Sequence, residues 1–173
     1  MASYIAFTTI GVKIGYAMEV ESGGLTKHPN VPTTGWKHIK GLKGSPNFNQ
    51  ETGTFDTTTY ENKESESVVS TLKPAPSGQT FTAILSQGFS DDWDKLVSAC
   101  ETAKEQNKRM YYVIYIPNYT KAQYFSGYAD ELMFPELPVN SGIEIDVHID
   151  QDGGEAFTDT APDPTTGWAS DGE

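Results

Sequence analysis

A chain of 173 residues with 36% hydrophobic and 12% aromatic content can bury one core, so one domain is expected, with or without an extended arm. A formal net charge of −12 and a single arginine argue against a tight nucleic-acid binder, because phosphate affinity comes chiefly from Lys and Arg. No stretch is apolar for long enough to span a bilayer, the start MASYIAFTT lacks the charged-then-apolar order of a signal peptide, and the lone Cys100 excludes an internal disulfide. A soluble chain made in the cytoplasm is expected.

Residues 4–20 carry β-prone runs in which Val12, Ile14 and Tyr16 alternate with Lys13 and Gly15, predicting one or two strands. From 21 to 50 the sequence is rich in Gly, Pro, Asn and Ser without sustained periodicity, which predicts a long inter-strand loop. Between 22 and 50 it has no carboxylate but contains Lys27, Lys37, Lys40 and Lys43, a local balance of +4 that leaves −16 for the remainder. Trp36, Ile39, Leu42 and Phe48 give this loop apolar anchors that a simple linker does not need, so it should dock onto something.

Two further short strands are read at 53–60 and 68–72, separated by the charged turn ENKESES. Residues 80–87 alternate Phe81, Ala83 and Leu85 against Thr80, Thr82, Ile84 and Ser86 and lead through Gly88 into the one convincing helix, at 90–109. There Trp93, Leu96, Val97, Cys100 and Ala103 fall on one face, with Ser90 or Asp91 available as a cap and Lys104, Lys108 and Arg109 suited to the carboxyl end. Burying Trp93, Leu96, Val97 and Cys100 should contribute roughly 6–10 kcal/mol gross, against about 1 kcal/mol for the cap. Packing therefore holds this helix, and Cys100 reads as a small buried hydrophobe.

The strand expected at 110–116 is apolar on both faces, as if covered by the helix on one side and by a second sheet or a neighbour on the other. A long strand at 122–134 should pair back on it, with Gly127 allowing a bend. At 142–150, Ile143, Ile145, Val147 and Ile149 occupy one face and Glu144, Asp146, His148 and Asp150 the other. The domain is expected to close at 154, leaving 155–173, which holds five carboxylates and no base, as an acidic arm or tail.

Little here carries catalytic chemistry. His28, His38 and His148 lack metal-ligand spacing, and Asp150-x-Asp152-Gly153 lacks the later ligands of a calcium loop. Neither a nucleophile elbow, a phosphate loop nor a dinucleotide fingerprint occurs, so no enzyme, metal or cofactor is expected. The acidic row at 144–150 reads either as a solvated strand side or as a repulsive lining that keeps phosphates off over about 8 Å at physiological ionic strength. The basic loop reads either as a solvated surface or as a contact to an acidic patch on an identical neighbour.

The order of these elements, above all TGTFDTTTYENKES followed by the strand TFTAILSQ, the segment DDWDKLVSACETAKEQNKRMYYVIYI and the closing SGIEIDVHID, resembles the major tail tube protein of long-tailed, non-contractile bacteriophages. The resemblance covers roughly 1–154. It implies a mainly β fold, an antiparallel β-sandwich or rolled barrel with one flanking helix. Six copies would close into a ring, and rings would stack into a virion tube through which the genome passes. Implied partners are other copies of the chain, a tape measure protein inside the tube, and the tail terminator and distal tail or baseplate proteins, with DNA only in transit and no membrane. By position, the loop holding Lys27, Trp36, Lys37, Ile39, Lys40, Leu42, Lys43 and Phe48 would contact the adjacent subunit, and Glu144, Asp146 and Asp150 would face the lumen. An independent argument points the same way: open sheet edges need covering, and head-to-tail pairing around an axis would cover them. The alternative is a monomeric β-sandwich carbohydrate-binding or adhesion module with Trp36, Tyr119 or Trp168 as stacking platforms.

Overall fold

The computed structural model describes residues 10–46, 48, 52–56, 68–72, 78–137, 139, 142–152 and 156–170. The expected strand residues 4–9 and 57–60 and the charged turn at 61–67 lie outside them. The described chain is mainly β, with one helix, as expected. Its strands are β1 (Lys13–Met18), β2 (Lys37–His38), β3 (Thr52–Asp56), β4 (Val68–Leu72), β5 (Gly78–Ile84), β6 (Met110–Tyr115), β7 (Lys121–Ala129), β8 (Glu144–Gln151) and β9 (Phe157–Thr160), and its helix is α1 (Gln87–Glu105). Seven strands form one curled antiparallel sheet in the order β2-β1-β6-β7-β8-β5, with β9 pairing β7, while β3 and β4 pair as a separate antiparallel ribbon.

The helix begins earlier and ends earlier than the sequence pattern indicates. Ser86 is the cap: its hydroxyl accepts the Phe89 N–H at 3.2 Å, in the place expected for Ser90 or Asp91. This extra turn adds Phe89 to the buried face of Trp93, Leu96, Cys100 and Ala103, whereas Val97 is only half-buried. Asn107, in the left-handed region at φ 55°, ends the helix, so Lys108 and Arg109 lie beyond it. Three polar contacts hold α1 against the sheet and its continuation, one of them the Ala129 N–H donating to Cys100 Sγ at 3.5 Å. Trp93 Nε1 donates to the Asp130 carbonyl at 2.8 Å, and Cys100 Sγ lies 3.4 Å from the Tyr112 hydroxyl.

The continuous apolar run of β6 is explained by two cores on opposite faces of one sheet. Met110, Tyr112 and Ile114 join Ile14, Phe81, Phe125, Ile145, Val147 and Ile149 beneath α1. Tyr111 and Val113 point the other way, into a second cluster with Leu25, Val31, Trp36, Ala122 and Tyr124. Cover on that side is supplied by the chain itself. It comes from the 21–50 loop and from Phe157 and Trp168 of the carboxyl-terminal arm.

Residues 156–170, expected to leave the domain as an arm or tail, lie against the fold. β9 pairs β7, the Trp36 N–H donates to the Gly167 carbonyl at 3.0 Å, and the Ala169 N–H donates to the Trp36 carbonyl at 2.8 Å. Acidic composition favours solvent, but a few aromatic side chains suffice to hold the arm down. Gly15 makes room for one of them, since a Cβ there would sit 2.5 Å from the Trp168 ring. The arm also has its own turn. The Asp163 carboxylate accepts the backbone N–H groups of Thr166 at 2.9 Å and Thr165 at 2.7 Å, and these bonds hold its pKa below the usual carboxylate value.

The long strand expected at 122–134 stops at Ala129. Pro135 cannot donate to a ladder, and the chain from 130 to 137 has no regular structure. Gly127 lies where β7 exchanges one neighbour for another: residues 121–124 pair with β9 and residues 127–129 with β8. A Cβ at Gly127 would meet the Asp150 carbonyl oxygen at 2.2 Å, so the close approach of β8 requires glycine.

The buried tyrosines give the fold a pH signature. Burial, followed by the neighbouring Cys100, pushes the Tyr112 hydroxyl well above its ordinary value, and burial likewise raises Tyr16, Tyr111 and Tyr124. A raised folded-state pKa means that the stability these groups contribute is present below the unfolded value of about 10 and is lost as pH rises through the folded values. Melting temperature should therefore be insensitive to tyrosine ionisation up to about pH 10 and fall steeply above it. Tyr112→Phe should show a shallower alkaline fall by circular dichroism. An unchanged alkaline slope would remove Tyr112 from this account.

Candidate assembly surfaces

The outward face of β8 is a row of polar groups created by strand alternation. Ile145, Val147 and Ile149 are buried beneath α1, which forces Glu144, Asp146, His148 and Asp150 onto the exposed side. Antiparallel register places each opposite an outward position of β5: Ile84, Thr82, Thr80 and Gly78 respectively. The row is partly laced to its surroundings. Glu144 pairs with Lys43, Asp146 accepts from the Thr82 hydroxyl at 2.9 Å, and His148 Nδ1 lies 2.9 Å from the Thr80 hydroxyl. Asp150, beside Gly78, is exposed. The result is a carboxylate-rich strip on a rigid two-stranded support.

The 21–50 loop divides into two kinds of residue. Trp36 is fully buried, Ile39 is 5% exposed, and Leu25 and Val31 are buried with them, so these anchors dock onto the chain's own sheet. Leu42 and Phe48 are half-buried against the main core, Phe48 with its ring 4.9 Å from that of Phe125. Lys27, Lys37, Lys40 and Lys43 are exposed. The apolar members thus fix the path of the loop, and the lysines are what it presents.

That path joins the two ends of the sheet. Lys37 and His38 pair with Tyr16 and Gly15 on the open side of β1, and the Ile39 N–H donates to the Ile14 carbonyl at 2.8 Å. A few residues on, Leu42 forms a bridge with Ala83, the Lys43 N–H donates to the Thr82 carbonyl at 2.8 Å, and the Ile84 N–H donates to the Gly41 carbonyl at 3.2 Å. The loop therefore covers part of the edge of β1, at Ile14–Tyr16, and part of the edge of β5, at Thr82–Ile84. Covering an edge within the chain satisfies the same backbone groups without an oligomer.

A third polar cluster surrounds the single arginine. Arg109 Nε lies 3.3 Å from Asp152 Oδ2, and this carboxylate raises the guanidinium pKa further. Asp152 Oδ1 accepts from the Ser126 hydroxyl at 2.6 Å, and Glu19 accepts from the Arg109 N–H at 2.8 Å and from Asn30 at 2.9 Å. Its members tie β1, β6, β7 and β8 together, which is a structural role.

The three histidines lie in unrelated places: His28 stacks on Phe157 at 3.7 Å, His38 faces Trp168 edge-on, and His148 lies on β8. Of the proposed stacking platforms, Trp36 is buried and Trp168 packs against Lys13, His38 and Tyr115, leaving Tyr119, at 41% exposure, as the accessible one. No described helix is long and apolar enough to cross a membrane.

Sequence reading missed the exposed apolar side chains at 133, 134, 137 and 139. Met133, Phe134, Leu137 and Val139 are 75%, 77%, 58% and 88% exposed. Pro135 and Pro138 were the available signal, because proline argues against continuing the strand.

No protein-family model and no curated protein sequence matches the chain. Among solved structures, it is similar to the cryo-EM structure of the anti-feeding prophage cap, described as the AFP tube terminating cap. The likeness covers 93% of this chain and 95% of that chain, at a TM-score of 0.49 and 9% sequence identity. A likeness at this level carries no functional argument.

Proposed function

We propose that this chain is a structural, non-enzymatic subunit of a bacteriophage tail, which closes into hexameric rings that stack as a tail tube. The observation that carries the reading is the segregation of charge on one chain: a lysine-bearing loop fixed across the sheet, and a carboxylate-rich strip on β8. The Lys43–Glu144 pair is an intramolecular instance of the complementarity that neighbouring copies would use. The sequence resemblance to tail tube proteins supports the ring and the stacked tube, and the mainly β fold with one helix agrees with the architecture that it implies. In this reading Asp146 and Asp150 face passing DNA, and the tape measure, terminator and distal tail proteins are the other partners. The helix lies on the tube's outer side.

Negative-stain electron microscopy of the purified chain is expected to show rings or tubes, and a strictly monomeric species at every concentration and in phage lysates would overturn the reading. Asp146→Lys combined with Asp150→Lys is expected to leave assembly intact and to lower infectivity of assembled virions, because attraction replaces repulsion along the DNA path. Unchanged infectivity would remove this strip from the lumen.

A further inference from the structure

The main sheet is finished differently at its two ends. At the β2 end the carboxyl-terminal arm exchanges two backbone hydrogen bonds with Trp36, whereas at the β5 end the 21–50 loop supplies them to Thr82 and Ile84. Those bonds fix which way β5 faces. The Lys43 N–H donates to the Thr82 carbonyl and the Ile84 N–H to the Gly41 carbonyl, so the even-numbered residues turn their backbone groups away from β8. Strand alternation turns Thr80, and Gly78 before it, the same way. Among the described residues no backbone partner meets Gly78 or Thr80 on that side.

An open row of N–H and C=O groups recruits other strands, and edge strands are ordinarily blunted by charge, proline or a bulge. Gly78-Gln-Thr-Phe81 carries neither charge nor proline. Its pairing with β8 runs without interruption from Gly78 to Ile84, so no bulge turns the edge aside. An edge this regular and uncharged is fit to be paired.

The same chain carries strands with the complementary deficit. β3 and β4 pair with each other from Thr52↔Leu72 to Asp56↔Val68 and with no strand of the main sheet, so each has one satisfied edge and one open edge. A lone two-stranded ribbon is marginal in water, and a further strand stabilises it. β4 is the better strand to offer. It reads Val68-Val-Ser-Thr-Leu72, uncharged and rich in β-branched residues, whereas β3 would bring Asp56 towards a strip that is already acidic. β4 and β5 belong to separate sheets although they are consecutive strands, and the sequence between them, Lys73-Pro-Ala-Pro-Ser77, lacks the Asn-Gly or Asp-Gly signal of a tight hairpin.

We propose that β4 of one copy adds to the Gly78–Phe81 edge of β5 in the next. The proposal rests on the reading of the chain as a self-assembling subunit and names the contact that joins one copy to its neighbour. Each copy gives one ribbon and receives one, a head-to-tail arrangement that closes into a ring when the rotation allows. Main-chain hydrogen bonds supply the contact, and the added strands extend the sheet that carries the β8 carboxylates.

Sedimentation velocity and electron microscopy of the full chain test it. Thr80→Pro removes a donor that β8 does not use, and replacing 52–72 by a short Gly-Ser linker removes the ribbon. Each should weaken self-association by about tenfold or more while the circular dichroism spectrum keeps its folded form. Thr80→Val, which loses the hydroxyl near His148 but keeps the N–H, should associate as the wild type does. Mixed, the Thr80→Pro and linker variants should pair one to one and go no further, since one offers only a ribbon and the other only an edge. Copies with Ser70→Cys and copies with Thr80→Cys, oxidised together, should form a disulfide between the two species, native Cys100 being buried. If Thr80→Pro does not fold, this disulfide decides. A chain bearing both cysteines that closes the bond within a monomer overturns the proposal, because the ribbon then pairs with its own β5. Association unaffected by Thr80→Pro and by the linker overturns this contact and leaves the tube reading standing. Association through these strands that never yields rings or tubes supports the contact and overturns the tube reading, and a chain monomeric at every concentration overturns both.

Discussion

Trp36→Ala is expected to destabilise the chain by roughly 3–5 kcal/mol, the range for removing a fully buried large aromatic. Trp36 has no exposed surface, and its ring centroid lies 5.8 Å from that of Tyr124. Its backbone holds Gly167 and Ala169 by two hydrogen bonds. Around it the loop contributes Leu25 and Val31, both buried. A loop read from composition as an assembly device is thus also a wall of the second core. Deleting 24–48 should consequently unfold the protein rather than leave a folded monomer unable to assemble. Urea denaturation decides it: a deletion variant with an unchanged transition midpoint would show that this wall is dispensable.

Trp93→Ala should cost a similar amount, roughly 3–5 kcal/mol, for a partly different reason. Trp93 is 1% exposed beneath α1, its ring stacks 5.8 Å from that of Phe89, and its N–H donates to the Asp130 carbonyl. Truncation leaves a cavity and releases the start of the 130–137 segment. Trp93→Phe separates the two effects, since it keeps most of the packing and loses the hydrogen bond, for an expected cost of about 1–3 kcal/mol. Trp36 and Trp93 belong to separate clusters on opposite sheet faces, so their alanine costs should add to within about 0.5 kcal/mol. A large coupling energy would mean that the two clusters behave as one core.

The sequence made some of these features visible and concealed others, for physical reasons that differ by element. Periodicity identified β8 and α1 because each has one dry face and one wet face, and such elements declare their orientation in the order of their residues. The helix start was misplaced because Ser86, Ser90 and Asp91 are all competent caps, and the decision was made by Phe89, one turn further back, finding a place in the core. β6 revealed that both of its faces are covered but not by what, since burial imposes the same composition whatever the cover. The arm's placement was not legible because carboxylates dominate its composition, while Phe157 and Trp168 determine where it lies. Of the candidate surface, the lysines and the β8 carboxylates are exposed, while Trp36 and Ile39 are inside. Aromatic residues in a glycine-rich loop do not announce whether they serve their own chain or another.

The contact between Gly15 and Trp168 has a consequence for synthesis of the chain. β1 emerges from the ribosome well before its pairing partner β6, and the indole that covers Gly15 follows later still. A topology dominated by such distant pairings folds slowly, and transiently bare strands are prone to stick to one another. The second core is therefore completed only once Phe157 and Trp168 have been made, and until then the face of β6 that they cover is bare.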